Sequence, residues 1–547
     1  MIGAALLAAA SLAVAPAASS EAPNVVLVMT DDQTVESMRV MEGVQRSLAD
    51  QGTTFERSFV TNPLCCPSRA SVFTGQYAHN HGVQGNRPPE GGYRRLGKRE
   101  WLPVWLDRAG YQTVHIGKFL NGYGTGATAT EVPPGWDEWY TSIDPSTYSF
   151  TNYTLNENGV LHTYPTYSTD DYTARAVSVV ERMSETPTPF FLSVAYLAPH
   201  AGRPADPDDL PGILTPSPAA RHVDRFKGVP APAGPAYNEA DVSDKPSFIR
   251  ARAPIGAGLA AAIDENYSQE LESLLAVDEG VVAIVNALAA EGELDNTLFV
   301  YTSDNGFFHG EHRFPNGKVA VYEPSVRVPL IMRGPGVPAG ERRRQLVTNA
   351  DLAPTILDAA GAVAAGRLED GRSLFPLLDD PGREWGRDLL IEGSVGFNQP
   401  AYDALRTYRY TYVEHANGER ELYDLELDPH QLQSVHADPG YAVIQAELAG
   451  RLLGLKNCAG RSCRERPDVR LTLQGCRARV SGLGIEKVSF RSAGRARDVR
   501  GPFRARVSGA RLRTRVRTVD GRVVTLDRRL PSGCRSQPPT GPSTRRR

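Results

Sequence analysis

The chain has 547 residues, of which 41% are apolar and 22% charged, with a formal net charge of −3 and six cysteines. Roughly two or three domains are expected at that length, and the ordinary apolar share supports a large core. Past the first twenty residues no apolar run reads as long enough to span a bilayer, so a membrane-spanning body is not expected.

Residues 1–20 have the length and small-residue end of a secretory signal peptide, with cleavage placed near Ala17 or Ala18. The positively charged start of such a signal is missing, and an Ala-rich disordered tail is the alternative. Export to a secreted or periplasmic location is the reading adopted. Residues 22–384 then read as an α/β domain. A short apolar run at 24–30 predicts a buried strand of a parallel sheet, and it ends in Asp31-Asp32-Gln33. The same grammar recurs downstream. Residues 110–114 lead into Gly117-Lys118-Phe119, residues 190–197 into Ala198-Pro199-His200, and residues 297–302 into Ser303-Asp304-Asn305-Gly306. A helical stretch at 267–291 alternates with these strands, which predicts a doubly wound sheet covered on both faces. The Pro- and Ala-rich segment 203–240 reads as a long insertion over this domain, a lid. Sequons stand at Asn152 and Asn266.

After about residue 385 the pattern changes. Residues 408–413 alternate as a half-exposed strand and 421–425 form another, with Asn417-Gly418 between them as a hairpin signal. A helix at 445–455 closes this smaller antiparallel subdomain, 385–465. Residues 467–535 show strand-like alternation broken by Gly, which suggests a β-sandwich-like domain, and 536–547 read as a disordered tail. From Arg466 onward there are 22 basic and 5 acidic residues, so the preceding part is strongly acidic. That shift marks a domain boundary. The basic tail either binds polyanions or records an Arg-rich codon bias. Cys458–Cys463 and Cys476–Cys534 are the simplest disulfides, though spacing leaves the connectivity open and a metal knuckle is the weaker alternative.

Two stretches carry chemistry. Residues 61–75 place Cys65 before Pro67, Ser68 and Arg69. Pro67 suits a first helical turn, which sets Cys65 at a helix N-terminus beside a guanidinium, a place that favours anions. Cys66 reads as a small packed side chain. Asp31, Asp32, Asp304 and Asn305 offer oxygen ligands from two strand ends, where ligands of open α/β sheets gather, and together they suit a hard divalent cation.

Leu64-Cys65-Cys66-Pro67-Ser68-Arg69-Ala70-Ser71 with His79-Asn80-His81, the run from Gly117 to Tyr123, Asp304 to Gly310 with Lys318 beyond it, the Arg333-Gly334-Pro335-Gly336 turn and the strand from Glu421 to Leu425 resemble the sulfatase family. The similarity is closest to its N-acetylglucosamine-6-sulfatase branch, which includes the extracellular heparan endosulfatases, and it extends over residues 22–463. The resemblance implies an alkaline-phosphatase-like α/β fold and oxidation of Cys65 to formylglycine by a formylglycine-generating enzyme. It also implies one divalent cation, calcium with magnesium as the alternative, held by Asp31, Asp32, Asp304, Asn305 and the modified Cys65. Arg69, Lys118 and Lys318 match the family's cationic positions around the transferring sulfuryl group, and His200 matches its general acid. Hydrated formylglycine offers one hydroxyl for attack on sulfur and a second whose collapse expels sulfate.

The sequence departs from the family where many members carry a histidine two residues after the first lysine. Leu120 stands there, which leaves the base for hemiacetal breakdown open, with Asn121 and His309 as substrate-contacting candidates. His115, His79 and His81 read as structural. The substrate implied is a sulfated sugar or polysaccharide, with no nucleic-acid partner. An arylsulfatase, a phosphonate or phosphodiester hydrolase using the same motif, and a sulfated-glycan-binding protein with unmodified Cys65 are the competing readings.

Overall fold

The computed structural model describes residues 22–383, 385–394, 396, 398–464, 470–481, 485–499, 503–518 and 523–534. The signal-like segment 1–20 and the tail 536–547 lie outside them. Strand Asn24–Asp31, buried along its whole length, sits in the middle of a ten-stranded sheet. Thr297–Ser303 and Phe190–Pro199 flank it in parallel, and Gln112–Gly117 and Glu138–Ser142 continue the parallel set. Antiparallel strands widen the sheet at both sides, Leu330–Arg333 on one and Tyr153–Glu157 with Val160–Tyr164 on the other.

Side chains on a strand alternate between faces. Val25, Leu27 and Met29 enter a core shared with helices Cys65–Thr74, Leu102–Arg108 and Leu352–Ala359. Val26 and Val28 enter the opposite core, beneath helices Ser168–Met183 and Ala257–Ala290. The near-continuous apolar strands thus specify a doubly wound sheet, because both faces must be covered.

Helix Ala257–Ala290 starts ten residues before the stretch read as helical in the sequence. It is long and apolar enough by composition to cross a bilayer, contrary to the reading of the sequence, yet Leu274, Val277, Val281, Ile284 and Leu288 pack against the sheet, as in the core helix of a globular domain. Asn266 on this helix is 2% exposed and donates to Glu270 Oε1 at 2.6 Å, so its sequon is inaccessible in the folded chain. Segment 203–240 carries neither helix nor strand, and its Ile213 and Ala231 pack against Ile263, Tyr267 and Leu271.

The subdomain after residue 385 is a four-stranded antiparallel meander of Leu389–Gly393, Tyr402–Arg406, Tyr410–His415 and Arg420–Asp424. Gly418, at φ 89°, makes the turn that Asn417-Gly418 signals. Strand Tyr410–His415 is not half-exposed as its alternation suggested. Tyr412 packs under helix Ala442–Leu455 while Val413 faces Phe59, Val321 and Val326 of the α/β domain, so both faces are covered. Both disulfides, Cys458–Cys463 and Cys476–Cys534, are formed. The second spans an all-β unit of a three-stranded and a four-stranded sheet sharing a core of Ala478, Val480, Val488, Phe490, Leu512 and Val516.

His79 ties the subdomain to the α/β domain. Its ring contacts Glu392 Oε1 at 3.0 Å and the Cys458 carbonyl at 2.9 Å, and its backbone N–H also donates to Glu392. Burial opposes a charge on this ring, but the Glu392 hydrogen bond and charge outweigh it and raise the pKa to about 9. Because the folded value lies above the unfolded one, this contact stabilises fully below about pH 6.5 and is lost as pH rises through 9, with a ceiling of about 3 kcal/mol. His79→Gln should therefore lower the denaturation midpoint at pH 6 and cost progressively less towards pH 10. A midpoint difference that does not change with pH would show that the pair carries no charge-linked stability.

Candidate active site

Four adjacent parallel strands deliver their carboxyl ends to one place, where open α/β sheets gather ligands. Strand Asn24–Asp31 supplies Asp31 and Asp32, Thr297–Ser303 leads to Asp304 and Asn305, Gln112–Gly117 to Lys118, and Phe190–Pro199 to His200. Helix Cys65–Thr74 points its N-terminus into the same place. Leu64 is extended, Pro67 occupies the first turn, and Gly75 ends the helix in the left-handed conformation at φ 67°, where a side chain would be strained. All ten helical residues are buried, so Cys65 is fixed at the positive end of a rigid element.

Cys65 Sγ lies 3.4 Å from Asp31 Oδ1 and accepts from Lys318 Nζ at 3.1 Å. Lys318 also donates to Asp32, and Lys118 donates to Asp31. Arg69 Nε donates to Asp304 Oδ2 at 2.7 Å and its Nη1 to the Lys118 carbonyl at 2.9 Å, while Ser68 Oγ donates to the Asp304 carbonyl. Asn305 Nδ2 donates to Asp32 Oδ1 at 2.6 Å. His200 Nδ1 contacts the Ala201 carbonyl at 2.6 Å, and Nε2 lies 3.7 Å from Asp32 Oδ2. The His200 side chain is 21% exposed whereas those of Arg69, Lys118 and Lys318 are at most 6% exposed, so the cluster meets solvent at the histidine.

Three buried carboxylates face three buried cations, and the balance shapes each group. Burial alone would raise Asp31, but Lys118, with His200, Arg69 and Lys318, holds it well below the usual carboxylate range. Asp304 is pushed up to about 6 by burial and then by the Asp31 charge. Lys118 and Lys318 rise despite burial, the first through Asp31 and the second through Asp32, and both stay charged. Burial pushes the Cys65 thiol up to about 12, with Asp31 adding to the shift. At neutral pH this is a thiol rather than a thiolate, which speaks against an unmodified cysteine nucleophile. Burial lowers His200, with Lys118 and Lys318 adding to that effect and Asp31 and Asp32 opposing it.

The residues fit a divalent cation. Ligand atoms of Asp31, Asp32, Cys65 and Asp304 all lie within 4.8 Å of one another, and buried Asn305 Oδ1 has no hydrogen-bond partner. Carboxylate and amide oxygens are the donors that hard cations prefer.

Two residues named from the sequence stand outside the cluster. Asn121 donates to Tyr148 OH at 2.5 Å, and Tyr148 in turn lies beneath Lys118 Nζ, 4.8 Å from the ring centroid, and against His200 at 5.1 Å. His309 contacts Glu270 Oε2 at 2.7 Å and borders a cavity of about 360 Å³ with Glu311, His312 and Arg327. Tyr148 and Glu270 were missed in the sequence. The first sits in an irregular loop with no motif, and the second reads as one more acid on a helix. Leu120, where a histidine stands in many relatives of the motif, is 2% exposed in the apolar core. His115 is also buried, contacting Ser193 Oγ at 3.1 Å and stacking on Trp139. His81 Nδ1 accepts from the Val83 N–H at 3.1 Å, and its Nε2 contacts Ser71 Oγ.

Comparison with known proteins identifies the family. A family model described as Sulfatase matches residues 23–362, and one described as N-sulphoglucosamine sulphohydrolase, C-terminal, matches residues 310–458. An N-acetylglucosamine-6-sulfatase from Capra hircus is 32% identical over 500 residues, covering 82% of this chain and 86% of that protein. An arylsulfatase from Volvox carteri is 32% identical over 501 residues, covering 82% and 77%. A solved structure of a protein in complex with its substrate D-glucosamine-2-N,6-O-disulfate superposes with a TM-score of 0.68 at 25% identity, over 79% of this chain and 96% of that one. With the fold, the motif and the family model in agreement over more than half its length, the chain belongs to the sulfatase family and hydrolyses sulfate esters.

Proposed function

We propose that this sulfatase removes sulfate from glucosamine-containing glycans, with 6-sulfated N-acetylglucosamine as the leading substrate, and that it does so through formylglycine at position 65. The observation that carries the mechanism is the setting of Cys65, a buried thiol at a helix N-terminus between Asp31 and Lys318. A thiol is the odd member of an otherwise all-oxygen donor set, and its conversion to an aldehyde hydrate makes the set uniform. The geminal diol so formed supplies an attacking hydroxyl and a second one to expel sulfate. A bound divalent cation, calcium in preference to magnesium, supplies Lewis-acid polarisation there and would be held by Asp31, Asp32, Asp304 and Asn305.

The chain's own side chains do the rest. Lys118 and Lys318 stay charged and flank position 65, where they neutralise oxygens of the sulfuryl group as charge develops on them. Arg69 holds Asp304 and the Lys118 backbone in place. His200, the member of the cluster nearest solvent, stands where a leaving alkoxide departs, and its ring is oriented by the Ala201 carbonyl. The substrate class is supported by the goat relative's name and by the ligand of the 25%-identical structure. Export is supported by the two disulfides, which form in oxidising compartments. Asn121, through Tyr148, and His309, at the neighbouring cavity, are the proposed substrate contacts.

Parallel assays on 6-sulfated N-acetylglucosamine, an aryl sulfate and a phosphate diester test the substrate class. A preference for the phosphate ester would overturn the reading. His200→Ala tests the proton donor. It should slow a sugar sulfate by roughly 100- to 10,000-fold, the usual contribution of a positioned acid, and slow an aryl sulfate far less, because an aryl oxide leaves without protonation. Equal losses on both substrates would remove His200 from that role.

A further inference from the structure

The four-stranded sheet of the tail domain buries Val488, Phe490, Leu512 and Val516 on its inner face. The intervening positions face outward, and they carry Arg491 on strand Ile485–Ser492 and Arg511, Arg513 and Arg515 on strand Arg511–Thr518, all exposed. Register sets Arg491 directly opposite Arg513, and Arg511 directly opposite Arg529 on strand Val523–Arg529. Like charges opposed across strands destabilise a sheet. The core makes no demand for arginine at these outer positions, so this face accepts a cost in stability that folding does not explain.

Of these residues Arg491, Arg511, Arg513 and Arg529 line a surface groove of about 470 Å³, where together with Arg528 they surround the single carboxylate of Asp527. Asp527 is engaged by Arg513 at 3.1 Å. One acid against five arginines leaves a strong positive excess, and guanidinium forks match the oxygens of sulfate and phosphate groups. Outward residues along a strand recur every ~7 Å, which suits a linear polymer with charges repeated along it. Single-stranded nucleic acids are held on aromatic stacking platforms, and the groove lining contains no aromatic residue. Strand Val523–Arg529 also touches helix Ala442–Leu455, which sets the groove beside the subdomain that packs on the catalytic domain.

We propose that this groove binds a linear sulfated polysaccharide, tethering the polymer beside the catalytic domain. The proposal goes beyond the sulfatase reading and is read by binding alone, so it stands or falls independently of which ester is hydrolysed. The test is retention of the full-length protein on immobilised dextran sulfate. Joint replacement by Thr of Arg491, Arg511, Arg513 and Arg529 should weaken binding at least about tenfold at low ionic strength, with the difference vanishing near 1 M salt, where the screening length is ~3 Å. Turnover of a small aryl sulfate should be unchanged. Should the fourfold variant misfold, the single change Arg511→Glu, which gives Arg529 a partner, should still weaken retention. Replacing Arg497, exposed on the edge strand Arg495–Val499 and not among the residues that line the groove, should leave retention intact. Unchanged retention in the groove variants, an equal loss in the edge-strand variant, or tighter binding of duplex DNA than of dextran sulfate would overturn the proposal.

Discussion

Replacing Cys65 with Ser or Ala should abolish multiple turnover of sulfate esters, by at least ~10³-fold as expected for loss of a covalent nucleophile, while leaving the fold intact. The side chain is 1% exposed, so a serine hydroxyl there must be satisfied, and Asp31 and Lys318 are within reach to do so. Serine nonetheless offers a single hydroxyl. It can accept a sulfuryl group once but has no second hydroxyl whose collapse expels sulfate. The expected signature is therefore at most one stoichiometric burst of covalently trapped sulfate, followed by silence. Mass spectrometry of the peptide containing residue 65 gives the companion measurement, because thiol and aldehyde differ in mass. An unmodified thiol in active enzyme, or a serine variant turning over at the native rate, would sink the formylglycine reading.

Much of this architecture is legible in the sequence because the physics that sets it is local. The strand at 24–31 is written in consecutive apolar residues, and the carboxylates after it follow from chain continuity. The Cys65 helix is marked by Pro67 and Gly75, and the hairpin by Asn417-Gly418. Long-range packing is what the sequence withholds. The strand at 410–415 reads as half-exposed because alternation shows only that its two faces differ, and the catalytic domain that covers the second face is more than fifty residues away in sequence. The sheet order that brings Lys118 against Asp31 depends on crossover connections with no local signal. Tyr148 is a single aromatic in an irregular loop, and its place beneath Lys118 and His200 follows only from the fold. The tail's arginines are visible in composition, but their opposition across strands depends on register.

Removal of divalent cations with a chelator should abolish activity, and Asp304→Asn should do so even with cations present. Asp304 is crowded against Asp31 and Asp32, and burial with the Asp31 charge already raises its carboxyl to about 6. Such crowding is unfavourable unless cations offset it. Arg69 answers Asp304 directly, whereas Lys118 and Lys318 are drawn to Asp31 and Asp32 and leave Asn305 Oδ1 without a partner. A hard cation would take that oxygen together with the three carboxylates. Asparagine keeps the shape and a hydrogen bond to Arg69 but removes one negative charge, so it separates a ligand role from a packing role. Two measurements besides turnover follow. Elemental analysis should find one equivalent of calcium or magnesium in the native protein and much less in the variant. Thermal unfolding of the native protein should also be stabilised by added cation, by ~2.7 kcal/mol at a free concentration about 100-fold above the dissociation constant, an increment that Asp304→Asn should lose. Full activity in excess chelator, with no metal found and no cation-dependent stabilisation, would leave the three carboxylates as partners of the lysines and arginine alone.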